Sequence, residues 1–244
     1  MLPFDILYRD SDCIAIHKPQ GVLVHYSRSA GRHGPCVVPA LRQQLGRLVF
    51  PVHRLDRPTS GVLLLALTVD ATRRLSHQFE QRLVDKNYMA LVRGHCDDCG
   101  CIDRPLKPSR DRWDQSERPQ PQAALTRFTT LARGELPFPV GRYETCRYSL
   151  ISLSPASGRR HQIRRHLKHI SHPVIGDTTH GDRDHNRFFA SQFGIQRLLL
   201  VAKQLTFQQP FTGQTLSVQS ASDPEFERAV TVAGCRPPAA PVLD

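Results

Sequence analysis

Residues 50–67 read FPVHRLDRPTSGVLLLAL, and this stretch decides the fold because it places a polar loop between two apolar runs. Continuous apolar residues bounded by Gly and Pro are typical of a strand that is covered on both faces of a sheet. The sequence therefore predicts buried strands over residues 50–55 and 61–67. The loop between them, HRLDRPTSG over residues 53–61, carries one carboxylate, Asp56, among basic side chains.

The segments on either side of this stretch predict a hairpin, two helices and another strand. Before residue 95 the predicted elements are a hairpin at 6–8 and 13–17, a helix at 37–45, a helix at about 70–82 and a strand at 86–93. The second helix is predicted because Ala71, Leu75 and Phe79 repeat every four residues and form an apolar stripe.

The second half of the chain continues the same mixture. Its predicted elements are strands at 125–131 and 147–153, a helix after the turn at 155–158, and a hairpin of residues 198–207 and 214–218. In the helix Ile163, Leu167 and Ile170 face inward, and Arg165 and Lys168 face outward. Residues 96–122 lack periodicity and predict a surface excursion. Because strands outnumber helices without regular alternation, the predicted fold class is α+β, with a mixed, largely antiparallel central sheet flanked by helices.

The length and the two termini predict one cytoplasmic unit. A chain of 244 residues can bury a full core, so we expect a single domain over residues 1–234 and a disordered Pro- and Ala-rich tail at 235–244. No apolar run suits a membrane helix, and the N-terminus lacks a signal peptide pattern. We expect a monomer without an obligate protein partner. Most of the seven irregularly placed cysteines are predicted to be free thiols.

The charge of the chain indicates a polyanionic partner. Lys and Arg total 33 against 22 for Asp and Glu, which gives a net charge of +11 and a pI of about 9.8. Such an excess attracts a polyanion over a broad surface, and nucleic acid is the leading candidate. The alternative is that the excess charge only keeps the protein soluble.

Asp56 is the candidate nucleophile. Cationic neighbours in the loop favour its ionised form, and an ionised carboxylate can attack an electrophilic carbon at neutral pH. The alternative is an ordinary Asp–Arg pair that closes a loop, because such pairs are common in structural loops.

A second basic segment follows a turn at residue 158. Residues 158–166 read GRRHQIRRH, and arginine forks near a helix N-terminus suit phosphate oxygens. Arg164 lies close to the buried edge marked by Ile163 and Leu167, so it is expected to need a carboxylate partner. The alternative is a solvated basic helix face.

Two other clusters contain side chains that can bind metals. Cys96, Cys99 and Cys101 offer soft ligands, but a closed zinc site takes four ligands and no second Cys-x-x-Cys pair completes it. The histidines His161, His166, His169 and His172 lie among arginines, so phosphate-facing or solvated side chains are the preferred interpretation. No metal is predicted.

Taken together, these segments resemble the RluA family of pseudouridine synthases. HRLDRPTSG at 53–61 is similar to the catalytic motif, and four other blocks follow the family order: KPQG at 18–21, KNY at 86–88, GRRHQIR at 158–164 and HPVIGD at 172–177. The resemblance covers about residues 4–220. It implies the pseudouridine synthase catalytic fold and a reaction that needs no cofactor.

The resemblance also implies roles for single residues. Asp56 matches the catalytic aspartate, Tyr88 the aromatic residue packed against the target base, and Arg164 the cation paired with Asp56. Arg54 is similar to the residue that enters the space left by a flipped base. The predicted RNA contacts are Arg54, Arg57, Lys18, Arg159, Arg160, His161 and Arg165.

The substrate implied by the resemblance is tRNA. The stretches HRLDRPTSGVLLLAL, GRYETCRYSL and GDRDHNR are most similar to a family member that modifies position 65 of tRNA. A uridine of ribosomal RNA stays open as a substrate. A non-catalytic RNA-binding or chaperone protein is disfavoured because a carboxylate among the arginines repels phosphate, and a glycosidase because no second acid accompanies Asp56.

Overall fold

The apolar run that follows the polar loop forms a central strand in a computed structural model, which describes residues 3–26, 34–108, 120–220 and 223–236. The strands are β1 (Ile6–Arg9), β2 (Cys13–Lys18), β3 (Phe50–Pro51), β4 (Ser60–Ala66), β5 (Asp85–Arg93), β6 (Cys99–Asp103), β7 (Leu125–Leu136), β8 (Cys146–Pro155), β9 (Leu200–Gln208) and β10 (Thr215–Gln219). The helices are α1 (Val37–Leu45), α2 (Val69–Glu80), α3 (Gln162–His169), α4 (Arg183–Phe193) and α5 (Pro224–Val232).

The described strands form one mixed sheet with the order β1-β2-β4-β9-β5-β8-β7-β6. The short β3 pairs with β4, and β10 pairs with β9. Within the described part of the chain, β4 and β9 make the one parallel strand pair, in which Ser60 and Gly61 lie opposite Val201 and Ala202. The predicted α+β class with a largely antiparallel sheet is confirmed.

Strand β4 lies at the centre because both of its faces are apolar. All seven of its residues are buried. Leu63 shares a core cluster with Leu41 of α1, whereas Leu64 shares one with Leu75 of α2. Alternate residues of a strand point to opposite faces, so the two helices cover opposite sides of the sheet here. A continuous apolar run is the pattern expected for this position.

The face of the sheet that carries α1 and α3 also carries the candidate site. Tyr88 packs against the α1 cluster and against the cluster that contains Ile163 and Leu167 of α3. Its neighbour Met89 packs on the opposite face, against the cluster of α4 and α5. The side chain of Tyr88 therefore lies where the two halves of this face meet.

The strand predicted over residues 50–55 is wrong in length, because only Phe50 and Pro51 pair with β4. The pairing of β3 with β4 ends before His53, because the His53 side chain replaces it: its Nε2 accepts a hydrogen bond from the backbone N–H of Leu64. A side chain thus satisfies the backbone group that a longer strand would have paired. Leu55 is buried although it lies in the loop.

The surface excursion predicted over residues 96–122 is also wrong in part. Residues 99–103 form the edge strand β6 against β7, and Ile102 is buried. Gly100 permits this pairing at close range, because a Cβ there would lie 2.5 Å from the Phe128 ring. Residues 109–119 of the predicted excursion lie outside the described residues.

The C-terminal end packs further than predicted. Cys235 is fully buried, so the predicted tail boundary at residue 235 is too early. Residues 237–244 of the predicted tail lie outside the described residues. In the described part of the chain, no helix has the length and apolar character needed to cross a membrane. All seven cysteines are free thiols, whereas the prediction was that most of them are.

Candidate active site

Asp56 lies in the loop that joins β3 to β4, beside a small cleft. Its side chain is 18% exposed, so the carboxylate can be reached from solvent. The loop turns at this point because the Thr59 N–H donates to the Asp56 carbonyl at 3.0 Å. The carboxylate is thus presented just before a strand that is buried along its whole length.

His53 holds the first part of this loop against the sheet. Its Nε2 accepts from the Leu64 N–H at 2.9 Å, and its ring stacks on Phe79 with centroids 4.5 Å apart. Burial, with a smaller contribution from the charge of Lys86, lowers the pKa of His53 to about 3. The ring is therefore neutral at pH 7 and Nε2 remains an acceptor.

Lys18 supports the loop from inside the protein. Its Nζ donates to the carbonyls of Pro19, Val22 and Arg57 at 2.8, 2.9 and 3.2 Å, and its side chain is fully buried. These bonds use all three donors of an ammonium group. Burial lowers the pKa of Lys18 to about 7. The prediction that Lys18 contacts RNA is wrong, because its Nζ is buried and bonded to three backbone carbonyls.

Arg164 of α3 pairs with two carboxylates. Its Nη1 is 3.2 Å from Asp56 Oδ2, while Nε and Nη2 donate to Asp177 Oδ2 and Oδ1 at 2.6 and 2.7 Å. The side chains of Arg164 and Asp177 are only 3% and 1% exposed. Burial acts to lower the pKa of Arg164, but its bonds to Asp177 and Asp56 outweigh burial and raise that pKa. The guanidinium is a permanent cation beside Asp56.

Asp177 fixes the orientation of this arginine. Besides Arg164, its Oδ1 accepts from the backbone N–H groups of Thr179 and His180, both at 2.9 Å. Burial acts to raise the pKa of Asp177, but the bond from Arg164 and these N–H groups outweigh it and lower that pKa. Asp177 was not among the predicted site residues. The expected carboxylate partner of Arg164 and the block at 172–177 were the signals that pointed to it.

His161 lies on the other side of Asp56. Its Nε2 is 3.9 Å from Asp56 Oδ2, and its Nδ1 is 3.0 Å from His180 Nε2. The residue takes the left-handed backbone conformation just before α3, with φ of 54°. Burial lowers the pKa of His161 to about 4, against the opposing charge of Asp56. The structure thus places a neutral imidazole in the cleft.

The cleft itself is small and lined on one side by Tyr88. Its volume is about 80 Å³, and its wall includes Leu55, Ile163 and Leu200 together with Asp56 and Arg164. Burial first, and the charge of Asp56 second, raise the pKa of the Tyr88 phenol. A neutral aromatic ring and aliphatic side chains therefore surround the carboxylate.

The two arginines of the loop do not form ion pairs with Asp56 in the described structure. Arg54 is exposed and lines the cleft. Arg57 is exposed and its Nε donates to the Gly21 carbonyl at 3.0 Å. The cation next to Asp56 therefore comes from α3 and not from the loop.

The predicted contacts around residue 160 are divided between the cleft and the surface. Arg159 lines the cleft with His161, and Arg160 is exposed. Arg165 is half-buried, and its Nη1 donates to the Lys107 carbonyl at 3.0 Å. Residues 158 to 161 precede α3, whereas Arg164 and Arg165 lie in it, so the basic cluster is divided between a turn and the first helical turns.

His166 does not face phosphate or solvent as predicted. Its side chain is fully buried, with Nδ1 3.0 Å from Thr126 Oγ1 and Nε2 3.1 Å from the Arg104 carbonyl. Burial lowers the pKa of His166. It is a satisfied core histidine that joins α3 to β7.

The arrangement suits chemistry at a carbon that carries a leaving group. A carboxylate next to a fixed guanidinium can attack such a carbon, and the aliphatic side chains of the wall offer an apolar surface to a bound ligand. An aromatic ring in the wall provides a surface on which a planar group can stack. These features come from the β3–β4 loop, β5 and α3.

The chain is similar in sequence to known RNA-modifying enzymes. Residues 12–169 match the model of the RNA pseudouridylate synthase family. Proteins named tRNA pseudouridine synthase C are 46% identical in Haemophilus ducreyi, over 93% of this chain and 94% of that protein, and 46% identical in Salmonella typhimurium, over 95% and 90%. One from Pectobacterium carotovorum is also 46% identical over 94% of this chain, but the chain spans only 62% of its length.

Two solved human structures show the same fold. RNA pseudouridylate synthase domain containing 4 superposes with a TM-score of 0.72 at 24% identity, covering 96% of this chain and 94% of that one. RNA pseudouridylate synthase domain containing 1 superposes with a TM-score of 0.68 at 23% identity, covering 98% and 97%.

Proposed function

Because the chain belongs to the RNA pseudouridylate synthase family, we propose that it isomerises uridine to pseudouridine in tRNA, with Asp56 as the nucleophile. The name of the similar proteins from Haemophilus and Salmonella supports tRNA as the substrate. Position 65 is the proposed target. We further propose a cytoplasmic monomer that acts without a protein partner.

The observation that carries this proposal is that the two oxygens of the Asp56 carboxylate differ in their hydrogen bonding. Arg164 binds Oδ2, and His161 faces the same oxygen. Oδ1 has no hydrogen-bond partner within the described ranges. One oxygen is thus held by a cation while the other is available for attack, which is the arrangement that a nucleophilic carboxylate needs.

The reaction breaks the C1′–N1 bond of uridine, forms a C1′–C5 bond with the same uracil and moves the C5 proton to N1. Asp56 either bonds to C1′ of the sugar or removes the C2′ proton to give a glycal. In both cases the free carboxylate is regenerated when the C1′–C5 bond forms. No electron or group is imported, so the proposed reaction uses neither a cofactor nor a metal. Arg164 keeps the carboxylate in place throughout.

Tyr88 fits the role of a stacking surface better than that of a base. Its raised pKa keeps the phenol protonated at neutral pH, so it cannot accept the C5 proton in that state. Its ring borders the cleft beside Asp56, where the freed uracil must rotate. The carboxylate of Asp56 and the neutral ring of His161 are the proton acceptors that the described cleft offers.

The target uridine must leave its stack to reach Asp56. Extrusion of a base costs a few kcal/mol, which phosphate contacts elsewhere offset. Arg54 lines the cleft and is exposed, so we assign it to the space that the flipped base leaves. Arg57, Arg159, Arg160, His161 and Arg165 are proposed to contact the RNA around it.

The test is to incubate the purified protein, without added metal or cofactor, with unmodified tRNA and with ribosomal RNA. Pseudouridine is then mapped by carbodiimide-based primer extension. One new site at position 65 of tRNA is expected. A site in ribosomal RNA alone would retain the reaction and overturn the substrate, and no site in either RNA would overturn the proposed function.

Asp56→Asn tests the nucleophile in the same assay. The variant is expected to form no pseudouridine while it still binds RNA, because the amide keeps the shape of the side chain but is not nucleophilic. Asp70→Asn is the control, since Asp70 is an exposed residue of α2 that pairs with Arg73 and with no other cation of the described residues. Substantial activity of Asp56→Asn would remove Asp56 from this role.

A further inference from the structure

The Asp56 cleft continues into two larger cavities. A cavity of about 450 Å³ shares Arg54, Tyr88 and Arg159 with the cleft. A second cavity of about 390 Å³ shares Arg82 and Lys86 with the first. The cleft and these two cavities border one another in turn, and we call the two larger cavities together the trough.

Positive side chains predominate along the trough. Among the described residues that line it there are five cations and two carboxylates: Arg54, Arg82, Lys86, Arg127 and Arg159, against Glu80 and Asp85. A cleft with an excess of one charge concentrates ligands of the opposite charge. The trough is therefore suited to a negatively charged chain that enters from the cleft.

Lys86 is the more buried of the two cations, Arg82 and Lys86, that line both cavities of the trough. It is half-buried, and its Nζ makes one hydrogen bond, a long one of 3.4 Å to the Ser157 carbonyl. No carboxylate of the described residues forms an ion pair with it. Burial, then the charge of Arg82, lower the pKa of Lys86, against a smaller opposing effect of Asp85. An anion next to Nζ would favour the charged ammonium group and so offset both the burial and the repulsion by Arg82.

Lys86 is also well placed relative to the reacting nucleotide. It precedes Tyr88 by two residues on β5, which corresponds to about 6–7 Å along a strand. Both side chains line the same cavity. A group bound at Lys86 is thus close enough to belong to the nucleotide next to a base stacked on Tyr88.

We propose that Lys86 binds a backbone phosphate of the RNA strand next to the target uridine, so that the strand leaves the cleft through the trough. This inference rests on the proposed function, because it takes the ligand of the cleft to be RNA. An ammonium group binds phosphate as a point charge, which suits a contact that is independent of base identity. The contact anchors the strand while the neighbouring nucleotide is turned out of its stack.

The test measures RNA affinity as a function of salt for Lys86→Met. Loss of one phosphate contact is expected to reduce the magnitude of the slope of log affinity against log salt by about 0.7–0.9, which lowers affinity about five- to eightfold at 0.1 M salt. Lys203→Met is the matched control, because Lys203 lies on β9 and lines a cavity with Met89 and Val201 on the opposite face. Lys203→Met is expected to keep the wild-type slope.

A change in affinity without a change in slope would show that Lys86 only supports the Ser157 loop, and would overturn the inference. Replacing each phosphate next to the target uridine by an uncharged methylphosphonate locates the contact. The wild type is expected to lose affinity at one of these linkages, and Lys86→Met to be insensitive there. Equal sensitivity of both proteins at each linkage would contradict the proposal. Pseudouridine formation by the wild type, measured on the same RNA, reports separately on the proposed function.

Discussion

At the scale of single residues, one guanidinium organises the candidate site. Arg164 uses two nitrogens for Asp177 and a third for Asp56. The bidentate pair fixes the plane of the guanidinium, and this plane determines which oxygen of Asp56 is bound. Asp177 is thus a positioning residue that acts on Asp56 through Arg164.

Asp177→Asn is expected to lower the rate of pseudouridine formation about 10- to 100-fold with little change in KM. The amide accepts through one oxygen only, so the guanidinium loses its bidentate partner and turns away from Asp56. Breaking this buried pair also costs about 3–5 kcal/mol of stability. Single-turnover rates at saturating RNA and urea unfolding measure the two effects. A variant that is less stable but retains its full rate would show that Asp177 has only a structural role.

The residues proposed to carry the reaction were easier to predict than the residues that surround them. Asp56, Tyr88 and Arg164 were predicted from their motifs, and the structure brings them to one cleft. Lys18 was misassigned because three carbonyls from different turns converge on its Nζ, and sequence spacing does not show this convergence. His166 was misassigned because its partners lie on β7 and near β6.

At the scale of elements, the junction of β4 with β9 controls the position of the Asp56 loop. Gly61 has φ of 112°, and a Cβ on it would lie 2.2 Å from the Ala202 carbonyl oxygen. The parallel pairing of the two strands begins here. Only glycine allows the backbones to approach this closely.

Gly61→Ala is therefore expected to destabilise the protein by several kcal/mol, because it adds a clash with backbone to the cost of an unfavourable φ. Gly213→Ala is the matched control. Gly213 also has a positive φ, of 72°, but a Cβ there meets nothing within 4 Å. It is expected to cost only about 1–2 kcal/mol. Urea unfolding of both variants measures the difference, and equal losses would argue against a tight junction.

Asp223 joins α5 to the same junction. Its carboxylate accepts from Arg197 Nη1 at 2.8 Å and from Ser60 Oγ at 2.9 Å, and it caps α5 through the Phe226 N–H. Burial acts to raise the pKa of Asp223, but the charge of Arg197 and these hydrogen bonds lower it below its ordinary value of 3.8.

Because the folded state holds Asp223 with a lowered pKa, its contribution to stability is fully present above about pH 4. The contribution is lost as the pH falls through the pKa of the folded state. Asp223→Asn is expected to be less stable than wild type at pH 7 and to lose less stability on acidification. Unfolding free energies between pH 7 and pH 3 test this. An unchanged pH dependence in the variant would contradict the assignment.

Elements with strong apolar periodicity were predicted, and elements that depend on distant partners were not. The hairpin of β1 and β2, the helices α1 and α2, and the pair β9 and β10 agree with the prediction to within a few residues. Strand β6 was missed because its pairing with β7 is decided by tertiary contacts rather than by its own pattern. Helices α4 and α5 were not predicted.

At the scale of the whole molecule, the location of the cations says more about the ligand than the net charge of +11 does. The α+β sheet could be predicted from the pattern of strands and helices. The concentration of cations along the trough could not, because they come from the β3–β4 loop, the end of α2, β5, β7 and the turn before α3.

RNA binding is expected to weaken steeply with added salt. If the five cations of the trough each contact one phosphate, the slope of log affinity against log salt is about −3.5 to −4.5. Titration of unmodified tRNA between 50 and 300 mM salt measures it. A nearly flat dependence would mean that the basic surface does not hold the RNA.

The order of strands in the sheet has a consequence for synthesis on the ribosome. β9 begins at Leu200, yet it lies between β4, which follows Asp56, and β5, which carries Tyr88. A nascent chain that ends between residues 165 and 199 contains Asp56, Tyr88 and Arg164 but lacks β9, the strand that sets their spacing. β9 must therefore be synthesised before this site can assemble, and a product released earlier carries Asp56, Tyr88 and Arg164 without the strand that lies between β4 and β5.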